Sequence, residues 1–145
     1  MNRQVTTTEM DDEPRAVRQI LTTEGRAFSV SRQTEQKLCC MLLRLGIPAH
    51  VNGYRFLQDA VLTVMAEPDV IKHMMHDLYP RVASKNHTTA VRVERSIRSA
   101  ITLAWHRSKP EECSRILGRS VTAEDEKPTS CELIALVAER MKWYS

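Results

Sequence analysis

A chain of 145 residues, of which 42% are hydrophobic and 5% aromatic, is long enough for one domain with an aliphatic core. It contains only four glycines, which excludes a collagen-like protein. The longest uninterrupted apolar run covers residues 38–43, far short of the ~20 residues of a membrane helix. Because the polar N-terminus also lacks the apolar stretch of a signal peptide, we expect a cytoplasmic protein with no membrane contact.

The sequence contains no residue pattern typical of an enzyme active site, a cofactor-binding site or a metal centre. The four cysteines form no CxxC pair and do not have the Cys/His spacing of a metal site. We therefore expect the cysteine side chains to be small buried apolar groups in a protein of the reducing cytosol. His73 and His76 lie three residues apart and Cys39 or Cys40 could join them on a metal ion, but no fourth ligand is evident. The sequence also has no glycine-rich phosphate loop and no Ser/His/Asp order. We therefore predict a protein that binds rather than catalyses.

Positive charge is concentrated in one part of the chain. The net charge is +3 overall, but residues 81–119 contain nine Lys or Arg against three acids and carry +6. A concentration of this kind is typical of proteins that bind a polyanion.

Taken in chain order, residues 1–33 show no sustained period and are predicted to be an N-terminal extension. Apolar residues at helical spacing then predict six helices, from Thr34 to the stop at Gly46, then over 54–67, 69–79, 88–106 and 110–118, and from the cap at Thr129 onward. No segment alternates in the manner of a strand. We predict an all-α fold, a six-helix domain over 34–145 with no sheet.

The helix that begins near Thr88 has the strongest pattern. Its apolar residues fall in one narrow arc: Val93, Ile97, Ala100, Ile101 and Ala104. The opposite arc is rich in arginine, and a polar turn precedes the helix. A helix of this kind enters the major groove of DNA, where arginine reads guanine and glutamate accepts from cytosine. The alternative is an ordinary surface helix in which Glu94 pairs with Arg98 four residues on.

Several further motifs resemble one family. They are residues 46–54 (GIPAHVNGY), 78–80 (LYP), 88–98 (TTAVRVERSIR), 104–105 (AW), 127–129 (KPT) and 134–135 (IA). In this order they resemble the C-terminal effector domain of stage 0 sporulation protein A, the response regulator that starts sporulation. The resemblance extends over roughly residues 34–141.

The resemblance implies a sequence-specific transcription regulator that binds double-stranded DNA through a helix-turn-helix. It implies base contacts by Arg92, Glu94 and Arg95. Backbone or flanking contacts are expected from Lys85, Thr88, Thr89, Val91, Arg98 and Ser99, of which Val91 and Ser99 depart from the residues usual in the family. It further implies pairing on tandem sites through the last helix, contact with RNA polymerase, and a nucleoid-associated location in the cytoplasm.

The N-terminal extension and the function each leave an alternative open. Residues 10–21 resemble the end of the first strand and the first helix of a receiver domain, including its acidic pair; the other interpretation is a capped helix start. No strand for an acceptor aspartate follows, so we expect no phosphorylation by the family's usual route. Two other functions remain: a receiverless competitor for the same operators, and a helical protein-interaction module that no longer binds DNA.

Overall fold

The computed structural model describes residues 16–107, 110–118 and 127–144. These contain a β-hairpin and six α-helices, and the all-α prediction is confirmed for the helical body. No helix in these ranges is long and apolar enough to cross a membrane. The helices are α1 (Arg32–Arg44), α2 (Asn52–Ala66), α3 (Tyr79–Lys85), α4 (Ala90–Arg107), α5 (Pro110–Leu117) and α6 (Ser130–Met141).

The prediction that the chain has no sheet was wrong. Strand β1 (Ala16–Leu21) pairs antiparallel with β2 (Ala27–Ser31), and Gly25 takes a left-handed φ of 86° in the connecting turn. The helix expected over residues 10–21, on either interpretation, is therefore a strand from residue 16 on, and residues 10–15 lie outside the described ranges. Among the hairpin side chains that the structure describes, residues 18–31, only Ile20 and Val30 are buried and apolar, and they join the core of the helices.

The predicted third helix, residues 69–79, was also wrong. A 3-10 turn (Pro68–Lys72) and one π turn (Met74–Leu78) precede α3, and Pro80 lies in the first turn of α3 rather than near the end of a helix. Proline is favoured there because its missing N–H would have had no intrahelical partner. At the start of α1 the side chain of Ser31, not Thr34, accepts from the Thr34 N–H and caps the helix.

Helix α2 forms the centre of the core and fixes the position of α4. Every residue from Phe56 to Val64 is buried, as expected for a helix covered on all sides. At its start, a Cβ on Gly53 would lie 2.4 Å from the Ser96 carbonyl oxygen of α4. Only glycine permits this approach, so α2 and α4 are packed backbone against backbone at this point.

Candidate nucleic-acid interface

Helices α3 and α4 and the turn between them form a helix-turn-helix. The turn is closed by the Thr88 N–H, which donates to the Ala83 carbonyl at 3.0 Å, and His87 takes a φ of 56°. The Thr89 hydroxyl accepts from the Arg92 N–H at 3.2 Å. Thr89 therefore supplies the predicted N-cap, which sets where α4 begins.

The two faces of α4 are separated as its sequence pattern predicts. Val93, Ile97, Ala100, Ile101 and Ala104 are buried. The outward side chains are exposed, namely Val91, Arg92, Arg95, Arg98 and Ser99. Among the described residues neither Arg92 nor Arg95 has an ion-pair partner, so both guanidinium groups are available to a ligand.

Two of the three residues expected to contact bases, Glu94 and Arg95, line different grooves on this face. Arg95 lies with Ser99 beside the start of α2, in a groove of about 270 Å³ that Asn52 and Leu103 also line. Glu94 lies on the other flank with Arg98, in a groove of about 360 Å³ beside Lys127 at the approach to α6. The structure thus brings Arg95 together with Ser99, and Glu94 with Arg98, but does not bring Glu94 and Arg95 into one pocket.

The ion pair expected of an ordinary surface helix is present. Arg98 Nε lies 3.5 Å from Glu94 Oε2, and the two side chains are 60% and 30% exposed. An exposed pair of this type contributes at most about 1 kcal/mol. A ligand can therefore separate the two groups at small cost, and the pair does not decide between the two interpretations of α4.

The remaining predicted side chains surround the start of α4. Lys85 is the last residue of α3 and is exposed, whereas Thr88 is half-buried and Thr89 is exposed although its hydroxyl serves as the cap. Two polar neighbours were missed, Asn52 and Lys127, which are both exposed. Pro48 and Gly53 interrupt the helical pattern before α2. This interruption could have indicated that Asn52 lies near α4, because Gly53 brings the start of α2 against α4.

A network of charged groups behind the helix-turn-helix was also missed. Asn86 in the turn donates to Asp59 Oδ2 and to the Val82 carbonyl, each at 2.8 Å. The other carboxylate oxygen of Asp59 accepts from Arg18 of β1, whose Nε donates to Glu35 at 2.9 Å. The hairpin is thus connected to the turn before α4 through a carboxylate that is 4% exposed.

A second link joins the hairpin turn to α3. Glu67 Oε1 accepts from the Thr23 N–H at 2.7 Å, and its carboxylate pairs with Arg81 at 3.2 Å. Hydrogen bonds from Thr23 and then Arg81 lower the pKa of Glu67 to about 2. In the nearby core, burial raises the pKa of the Tyr79 phenol to about 12.

The cysteine prediction was partly wrong. Cys113 is buried and Cys39 half-buried, but Cys40 and Cys131 are exposed, and all are free thiols. Cys40 precedes the buried Met41 in sequence but is itself exposed, and Cys131 lies between the half-buried Ser130 and the exposed Glu132. No set of three or more His, Cys, Asp or Glu in the described ranges is arranged to hold a metal ion, and His73 and His76 are both exposed.

Comparison with known families agrees with this geometry. Residues 38–141, well over half of the chain, match the family described as "Sporulation initiation factor Spo0A C terminal". The match includes the whole helix-turn-helix and ends at the last residue of α6, and it leaves the hairpin outside. The chain belongs to this family of DNA-binding effector domains of sporulation transcription regulators.

Proposed function

We propose that the protein reads specific DNA sequences by inserting α4 into the major groove. Arg95, central on the exposed face and without an ion-pair partner among the described residues, is the observation that carries this proposal. Bidentate hydrogen bonds from a guanidinium to guanine O6 and N7 need such an unpaired group. Arg92 and Glu94 would contact bases on the two flanks of Arg95.

Phosphate contacts would position α4 in the groove. Lys85 and the Thr88–Thr89 pair lie at the entry to the helix, and Arg98 and Ser99 lie about one turn beyond Arg95. Val91 is 52% exposed and offers a methyl surface for contact with the sugar or a thymine methyl group. Contacts of this kind fix register and orientation, while base contacts supply specificity.

The remaining parts of the proposal rest on the family resemblance. They are the pairing of two copies through α6 on adjacent binding sites in the DNA (called boxes below), contact with RNA polymerase, and a cytoplasmic, nucleoid-associated location. The exposed surface of α6 includes Ala135, together with Glu132, whose carboxylate completes the capping box with Thr129, and Glu139, which pairs with Lys142 at 3.3 Å. Pairing would raise the affinity for a duplex with two adjacent boxes to more than twice the affinity for a duplex with one box.

The test is a gel shift with a duplex that carries the family's box against a scrambled duplex of equal length. At fixed salt we expect at least tenfold tighter binding to the box. Equal affinity for both duplexes would show that α4 binds phosphates without reading sequence. No binding to either duplex would favour the alternative of a protein-interaction module that does not bind DNA. A run-off transcription assay on the same box then separates an activator from a competitor that only occupies the site.

A further inference from the structure

A second groove lies away from the helix-turn-helix, between α1, α5 and α6. Its volume is about 560 Å³, within the range of about 300–1,000 Å³ that is typical of small-molecule sites. None of its lining residues belongs to α3, α4 or the turn between them. A ligand bound in this groove would therefore leave the proposed DNA interface uncovered.

Helix α1 contributes to the groove through side chains at helical spacing. Gln36, Cys40 and Arg44 follow one another at intervals of four residues, which places them in a row on one face of the helix. Met41, the next residue after Cys40, is 7% exposed, and Ile116 of α5 is 6% exposed. The groove thus has exposed polar and basic side chains around an apolar floor.

The charge of the groove favours an anion. Three arginines line it, and no acidic side chain does so in the part of the chain that the structure describes: Arg44, Arg115 and Arg140. Arg115 donates to Glu112 at 3.0 Å, so its charge is largely compensated. Arg44 is exposed, and neither it nor Arg140 has an ion pair among the described residues. An anion in the groove is therefore attracted chiefly by Arg44 and Arg140.

The guanidinium group of Arg140 is held against the end of α5. A Cβ placed on Gly118, just after α5, would lie 3.5 Å from Nη1 of Arg140, and Nη2 lies 3.5 Å from the Arg115 carbonyl oxygen, which is long for a hydrogen bond. Nε is buried and has no hydrogen-bond partner among the described residues. A buried donor without an acceptor is unfavourable, so Arg140 gains from an added acceptor.

The lining indicates an occupant with two chemical parts. A carboxylate can accept from two nitrogens of one guanidinium group, and this would give Arg140 the acceptor it lacks once the group turns toward the groove. An aliphatic body would cover Met41 and Ile116 and remove apolar surface from water, which is favourable. An inorganic anion would use only the arginines, and a neutral lipid only the floor.

We propose that this groove binds a small monocarboxylate with an aliphatic chain, a molecule of the fatty-acid type. Its carboxylate is bound by Arg140, and Arg44 adds electrostatic attraction. Its aliphatic chain lies against Met41 and Ile116 and beside Cys40.

Protection of Cys40 from alkylation tests this placement in the unmodified chain. Cys40 and Cys131 are both exposed free thiols, but only Cys40 lines the groove, so Cys131 is the control within the same molecule. The probe is octanoate, whose Kd is measured by calorimetry, and the reagent is iodoacetamide, which is neutral. At about ten times its Kd, octanoate should slow the alkylation of Cys40 by about tenfold and leave that of Cys131 unchanged.

Two related compounds separate the parts of the ligand. Octanol lacks the charge and acetate lacks the chain, and each should bind at least about tenfold more weakly than octanoate. Octanol that protected Cys40 as well as octanoate does, or octanoate that protected Cys131 equally, would overturn the proposal. A glutamate-rich peptide that protected Cys40 better than octanoate would assign the groove to an acidic segment of a partner protein and would also overturn it.

Variants of the groove arginines identify the residues that bind the carboxylate. Arg140→Met keeps an unbranched stem without the charge, and the affinity for octanoate should fall at least about tenfold because a charge-assisted hydrogen bond is lost. Arg44→Met, at an exposed residue whose change should leave folding intact, should lower the affinity severalfold. The matched control is Arg26→Met at an exposed arginine of the hairpin, which should have no effect. Unchanged affinity in both groove variants would overturn the proposal.

Discussion

Arginine has two different environments in this protein, and the contrast separates folding from ligand binding. Arg18 and Arg81 each contact two carboxylates, and their side chains are 22% and 27% exposed. Arg92 and Arg95 lie on the open face of α4 with no ion pair among the described residues. Arginine side chains therefore hold the hairpin onto the helices in one region, whereas in the other region they are available to a ligand such as DNA.

The contrast shows that charge alone does not identify a binding residue. A guanidinium that already donates to carboxylates would have to give up these bonds before it could bind a phosphate or a base, whereas an unpaired one gives up only water. Changes in the first region should therefore alter stability, and changes in the second should alter DNA binding. The predictions below test this separation.

The largest effect is expected from Asp59→Ala. The Asp59 carboxylate is 4% exposed and connects Arg18 with Asn86, so its loss leaves a half-buried guanidinium and an amide without their acceptor. Removing one partner of a buried pair costs about 3–5 kcal/mol. Because Glu35 still faces Arg18, we expect a loss of about 2–4 kcal/mol in the free energy of unfolding, measured with urea.

A matched control removes a carboxylate from the same hairpin where it is exposed. Glu24 pairs with Arg26, and the two side chains are 75% and 82% exposed. Glu24→Ala should therefore change the free energy of unfolding by less than about 1 kcal/mol. Equal effects of Asp59→Ala and Glu24→Ala would contradict a structural role for the network behind the turn.

The next effect belongs to the proposed DNA interface on α4. Arg95→Ala should weaken binding to the specific box by about 1–3 kcal/mol, the contribution of one bidentate base contact, and should leave stability within about 0.5 kcal/mol. Competition gel shifts with specific and scrambled duplexes measure the difference. The matched control is Arg107→Ala at the far end of the same helix. If Arg95→Ala weakened binding to both duplexes equally, Arg95 would be a phosphate contact.

The arginine face was predictable from the sequence because its causes are local. The apolar arc of α4 and the cap at Thr89 follow from residues within the helix or next to it, and so does the capping box of Thr129 and Glu132 at α6. The arrangement of Arg92, Glu94 and Arg95 around α4 is likewise a consequence of helical geometry. Their roles toward DNA remain predictions.

The network behind the turn was not predictable because its causes are distant in the chain. Arg18 and Asp59 are 41 positions apart, and Thr23 and Arg81 are 58 apart. Over residues 18–31, where side-chain burial is described, only Ile20 and Val30 are buried, so this part of the hairpin shows no clear alternation of apolar residues. The hairpin is held by contacts to helices that follow it, and tertiary contacts of this kind override local pattern.

A smaller effect is expected from Lys85→Ala. Lys85 is exposed at the end of α3, where a phosphate contact would release about one counterion. The slope of log K against log salt for DNA binding should then flatten by about one unit, with equal loss on specific and scrambled duplexes. Lys72→Ala, which alters an exposed lysine paired with Asp69, provides the comparison. An unchanged slope in Lys85→Ala would remove Lys85 from the interface.

The smallest effect, which is present near neutral pH and disappears in acid, is expected from Glu67→Gln. The folded-state pKa of Glu67, about 2, lies below its ordinary value of 4.5, so the carboxylate stabilises the fold above pH 4.5. This contribution is lost as the pH falls through about 2. The wild type should therefore exceed Glu67→Gln in unfolding free energy by a constant amount above pH 5, and the gap should close between pH 4.5 and 2.

Urea unfolding of the two proteins across this pH range measures the gap. Asp69→Asn removes one negative charge from an exposed side chain near Glu67 and controls for the change in net charge. A gap that persists unchanged to pH 2 would mean that the Thr23 and Arg81 contacts do not depend on the charge of Glu67. Because the carboxylate is partly exposed, raising the salt should shrink the gap above pH 5, whereas the effect of Asp59→Ala, at a buried carboxylate, should change little.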